Sequence, residues 1–155
     1  MREKLKREII RLVRQVDPTI SVNFHNGNME SESVNNKIFI NVDEFLYTYD
    51  DEPNHLQVMR ENGLVIDIML PTYILLHEIG HIKMYRTYKR KKRLELAYER
   101  NMEYIVANYQ GLERLRRYKA LKLERDADKF AYYYYLHNYD MIKSFDKKIK
   151  SLLTA

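Results

Sequence analysis

The sequence predicts a single α+β domain, in which a small sheet packs on one buried helix and several further helices lie behind. Three observations carry this expectation. Apolar residues recur at three-and-four spacing through most of the 155 residues. Only two short stretches alternate apolar and polar residues as half-buried strands do. Four glycines and three prolines are too few for a turn-dense all-β chain. With 45% hydrophobic and 12% aromatic residues, the chain can bury a real core, and one domain spanning 1–155 is expected.

The elements follow in order. Residues 2–16 place Leu5, Ile9, Leu12, Val13 and Val16 on one side of a first helix. Asp17-Pro18 ends it, because a residue before proline is pushed out of the helical region. Charges interrupt this segment every two or three residues, which predicts an amphipathic surface helix rather than a signal peptide. Residues 19–25 form a short strand with Ile20, Val22 and Phe24 on one face, followed by turn chemistry at His25-Asn26-Gly27-Asn28 and a polar loop to Ser33. Residues 37–42 form a second strand, Asp43 caps a short helix carrying Phe45 and Leu46, and a polar connection runs from Asp50 to Pro53. A helix at 54–61 precedes the apolar run 64–70, which reads as a third strand or a loop. Pro71 opens a mostly buried helix reaching about Tyr88. The basic run Lys89–Arg93 is a solvated corner, and helices at 94–117, 118–137 and 140–152 complete the chain.

No eighteen apolar residues run together, so no membrane-spanning segment is expected. There are no cysteines, which removes disulfides, thiolate metal sites and cysteine nucleophiles, and fits a reducing cytosol without requiring one. The net charge of +5 permits an anionic partner without demanding one.

The chemistry concentrates at His77-Glu78-Ile79-Gly80-His81. Histidines four apart on a helix project from one face and can share an ion, which zinc's affinity for imidazole suits. Glu78 is placed to accept a proton from a water that such an ion activates. The surrounding Ile74, Leu75, Leu76, Ile79 and Ile82 make unpartnered imidazoles costly there. Gly80 weakens a helix by about 1 kcal/mol, which makes sense where another backbone comes close. A third ligand is expected from the stripe Leu121, Glu124, Asp128, Ala131, Tyr135, which sets two carboxylates on an otherwise apolar face. Glu124 is the candidate ligand. Asp128, one turn later, can accept the second N–H of a ligand histidine and fix its tautomer. Histidine and carboxylate donors also suit iron, cobalt or nickel.

His77-Glu78-Ile79-Gly80-His81, followed by Glu124-Arg125-Asp126-Ala127-Asp128-Lys129-Phe130-Ala131, resembles the glutamate-zincin pattern. It most resembles the ImmA/IrrE-type metallopeptidases of phages, mobile elements and bacteria. The resemblance spans roughly residues 35–136, and Ile40-Asn41 is similar to the end of the family's edge strand. It implies a zincin-like fold with zinc held by His77, His81 and Glu124, Glu78 as base, and Asp128 orienting a ligand. It further implies a cytoplasmic enzyme that cleaves a specific protein, often a transcriptional repressor. The interval between His81 and Glu124 is longer than the family's pattern.

Substrate is expected to add as a strand along residues 37–42. Tyr85, Tyr133, Tyr134 and His137 are candidates to stabilise the charge developing on a substrate carbonyl. Lys89–Arg93 could touch nucleic-acid phosphates, although a solvated corner is the favoured reading. His25 and His55 sit at loop edges without an assigned role. Two other readings stay open. One is a regulator that keeps the metal fold and acts by contact alone. The other is a protease similar to the SprT type, with His137 as third ligand and DNA-bound protein as substrate.

Overall fold

The computed structural model describes residues 1–47 and 51–154, and among these it is a mostly helical α+β fold. The Asp50 end of the polar connection lies outside the described residues. Eight α-helices are present among the described residues: α1 (Arg2–Val16), α2 (Asp43–Leu46), α3 (Glu52–Glu61), α4 (Leu70–Tyr85), α5 (Lys91–Asn108), α6 (Gly111–Lys119), α7 (Lys122–His137) and α8 (Tyr139–Thr154). Three strands, β1 (Ser21–Phe24), β2 (Glu30–Glu32) and β3 (Lys37–Ile40), form one sheet in the order β1-β3-β2. No described helix is long and apolar enough to cross a membrane.

The sheet differs from the expectation in one respect that matters. β3 is its central strand, parallel to β1 with Ser21 opposite Lys37, and antiparallel to β2 with Glu30 opposite Phe39. Residues 37–42 therefore offer no free edge, and the substrate strand expected along them is a misplacement. The edge beside α4 belongs to β2, whose Glu30-Ser31-Glu32 has no apolar face and reads as loop. Ile38 and Ile40 are fully buried, which is why β3 takes the middle.

α4 is apolar on nearly every side, as a helix at the centre of a small protein must be. Ten of its residues are buried, from Leu70 to Ile82. Pro71 occupies its first turn, where a missing N–H leaves nothing unpaired. The buried Asp146 of α8 reaches its N-terminus, accepting hydrogen bonds from the Met69 amide at 3.0 Å and the Thr72 hydroxyl at 2.8 Å. A carboxylate there also complements the helix dipole.

α4 packs most extensively on α7, and Gly80 sets how closely they approach. A Cβ at Gly80 would stand 2.7 Å from the carbonyl oxygen of Ala127 and 3.2 Å from its Cα, so only glycine allows this crossing. The run at 64–70 is loop, not strand, until Leu70 opens α4. The helix expected at 94–117 is two helices. Tyr109 and Gln110 are extended, Gly111 takes a positive φ of 56°, and the Arg114 guanidinium donates to the carbonyls of Val106 and Tyr109 at the end of α5. Lys89 and Arg90 form the exposed corner, and Lys91–Arg93 are the first turn of α5.

Asp17 ties the end of α1 to the end of α4. Its side chain is buried and accepts bonds from the Thr19 amide and hydroxyl, Lys83 at 3.3 Å, and Arg86. Burial pushes its pKa up, but these donors outweigh burial and hold it well below the usual carboxylate range.

Asp17→Asn should cost about 1–2 kcal/mol near neutral pH, read from urea unfolding. Because the folded pKa is the lower one, the contribution is complete above about pH 5, shrinks below about pH 4 as the unfolded carboxylate protonates, and is lost only once the folded one protonates as well. Wild type and variant should therefore converge in acid. A gap that stays constant down to pH 3 would show that charge is not the cause. Gly80→Ala should lower stability by about 1–3 kcal/mol despite alanine's higher helix propensity, a fall of several degrees in Tm.

Candidate metal centre

His77 and His81 point from one face of α4 towards α7, their ring centroids 4.6 Å apart. With Glu78 they each bring a donor atom within 4.8 Å of one another, and this group could hold a metal ion. Glu124 reaches the same point from α7. Its Oε2 lies 2.9 Å from His77 Nε2, and its Oε1 lies 3.1 Å from His81 Nε2. Glu124 is thus nearer to both rings than the group bounded by Glu78 requires, and its side chain is only 1% exposed.

Asp128 lies one turn further along α7, with Oδ1 2.8 Å from His77 Nδ1. The Tyr73 hydroxyl donates to that same oxygen at 3.1 Å. With its proton on Nδ1 and bonded to Asp128, a neutral His77 turns the Nε2 lone pair towards Glu124. Two electron-rich atoms then face each other at 2.9 Å inside the protein. A cation must lie between them. A proton is one answer. Burial and the nearby Lys119 charge push the His77 pKa down, but the Asp128 and Glu124 carboxylates outweigh them and raise it to about 9. A metal ion is the other, and the geometry fits it. Glu124 Oε2 is buried with no donor aligned on it, and both contacts are close to the ~3.3 Å edge of a tetrahedron with ~2.0–2.1 Å bonds.

The site also contains groups that spacing did not select. The Tyr118 hydroxyl donates to Glu124 Oε1 at 2.7 Å, and the Tyr98 hydroxyl does so at 3.1 Å. Burial, then the Glu124 charge, raises both phenol pKa values, so they remain donors. The Lys119 ammonium lies 3.7 Å from Glu124 Oε2 and 3.8 Å from Asp128 Oδ2. His55 sits on α3 rather than at a loop edge. Burial, followed by the Lys119 charge, lowers its pKa to about 4, so it is neutral at physiological pH. Tyr98, Tyr118 and Lys119 all come from α5 and α6, the extra interval between the two motifs. That interval's length was the one visible sign of their importance.

Tyr133 and His137 on α7 are placed elsewhere. Tyr133 is 65% exposed and stacks on His137 at 3.7 Å, while His137 Nδ1 contacts the Tyr133 carbonyl oxygen. Both positions fall about 180–220° around α7 from Glu124, facing away from the centre. His137 accordingly lies outside the cluster of His77, His81 and Glu124. Tyr134 stacks on Phe130, and Tyr85 lies under the Lys91 ammonium at 5.0 Å. His25 is occupied with the Asn28 carbonyl at 2.8 Å.

Comparison with protein-family models, curated proteins and solved structures returns no match.

Asp128→Asn should weaken metal binding by about 10–100-fold, because the partner that fixes the His77 tautomer is lost. Competition against a chromophoric chelator measures this, and unchanged affinity would remove Asp128 from the centre.

Proposed function

We propose that the protein is a zinc-dependent endopeptidase of the ImmA/IrrE type, with a zincin-like fold, acting on a specific intracellular regulatory protein such as a repressor. The observation that carries this reading is the convergence of His77 Nε2, His81 Nε2 and the Glu124 carboxylate, with Glu78 beside them on the same helix. Two imidazoles and one carboxylate are a donor set that zinc favours for hydrolysis, leaving one position open.

A zinc ion held by these residues supplies Lewis acidity, polarising a carbonyl and making water acidic near neutral pH. The remaining work falls to the chain itself. Glu78 follows the first ligand directly and is half-buried, open enough to meet substrate. It takes a proton from the attacking water and returns it to the leaving amine, so one carboxylate serves both steps. Asp128 and Tyr73 hold the His77 ring in place. Tyr98 and Tyr118 donate to Glu124 Oε1 and hold that carboxylate in place. An extended peptide has one sheet edge beside α4 to pair with, that of β2.

Glu78→Gln should retain zinc and lose about 10²–10⁴-fold in cleavage rate. Expressed in the native host, wild type should make one protein disappear that the variant spares. An undiminished biological effect from the variant, with no cleaved protein, would replace the enzyme by a regulator acting through contact.

A further inference from the structure

Lys119 is the one buried lysine or arginine among the described residues, 5% exposed at the C-terminal turn of α6. Lysine normally reaches for water, so its burial requires a reason. Its Nζ faces Glu124 Oε2 at 3.7 Å and Asp128 Oδ2 at 3.8 Å, within ion-pair range but beyond hydrogen-bond distance. It acts on these carboxylates by charge rather than by donating to them. It also arrives from a different helix than either carboxylate, so its position belongs to the tertiary fold and not to local helix geometry.

We propose that Lys119 is a built-in counter-charge that lowers the centre's affinity for a divalent ion while allowing Glu124 and Asp128 to stay buried without one. The inference rests on the metal-centre reading above. Two carboxylates share the α7 face, and in a poorly solvated interior their mutual repulsion needs a positive neighbour. Lys119 supplies one. A divalent ion arriving between His77, His81 and Glu124 then meets a like charge a few ångströms beyond the same carboxylate. The ammonium therefore favours the empty protein and opposes the loaded one. Simple packing by the lysine stem would support both forms equally, and this opposition in sign is what separates the two roles.

The full-length protein is stripped with chelator and titrated with Zn²⁺ alone against a chromophoric competitor, for wild type, Lys119→Met, Lys119→Gln and Lys119→Arg. Melting is followed for each in excess chelator and in excess zinc. Both neutral variants should bind zinc about tenfold or more tightly, as expected for removing a unit charge at this range. They should melt below wild type in chelator, and zinc should raise their Tm by more than it raises that of wild type. Lys119→Arg should stay within about threefold of wild-type affinity. Unchanged or weaker zinc binding by whichever neutral variant folds would overturn the proposal and reduce Lys119 to a packing residue. Absence of zinc binding by wild type would instead overturn the metal centre itself, and this inference with it.

Discussion

Two carboxylates, Glu124 and Asp128, are held inside the protein on one face of α7, and much of the helical arrangement serves to keep them there. An ionised carboxylate loses several kcal/mol of hydration on burial unless close partners replace the water. Here the replacements come from three helices. α4 brings His77, His81 and Tyr73, α5 brings Tyr98, and α6 brings Tyr118 and Lys119. The carboxylates reach these partners because Gly80 lets α7 pass α4 with backbone nearly touching backbone. A side chain at that crossing would push α7 outward and lengthen every contact at once.

The parts legible in sequence are those whose neighbours lie within one helix. His77 and His81, or Glu124 and Asp128, share a face through spacing alone, whatever the rest of the chain does. The apolar surroundings of each pair then force that face inward. α1, α4, α7 and α8 were legible for the same reason. Gly80 was legible as well, because a glycine inside an otherwise strong helix needs a close neighbour to justify it.

What could not be read depends on partners distant in the chain. β2 is polar at Glu30, Ser31 and Glu32, and only the backbone of β3 makes it a strand. The same pairing turned 37–40 from an expected edge into the centre of the sheet. The break between α5 and α6 was hidden because apolar spacing runs on from Leu94 to Leu112, although Gly111 and its left-handed backbone mark it. That break folds α6 back so that Tyr118 and Lys119 meet Glu124. Tyr133 and His137 lie away from Glu124 for a simpler reason. Tyr133 and His137 are near Glu124 in number but on the opposite side of the helix.

The partners are distributed unevenly, and this gives the centre a direction. His77 is gripped at both nitrogens, by Asp128 and Glu124, and its side chain is 5% exposed. His81, one turn later, meets Glu124 through one nitrogen and is 19% exposed. Behind Glu124 stand Tyr118 and Lys119, closing the interior side. Glu78 is half-buried, on the more open flank with His81. A buried, closely partnered rear and a more exposed front suit an acid–base site. On the proposed reading, the rear fixes the donor atoms and the front is the side from which water and an extended chain approach. A site meant only to brace the fold would gain by closing both sides. Its openness at Glu78 and His81 is the structural reason to look for a reaction there.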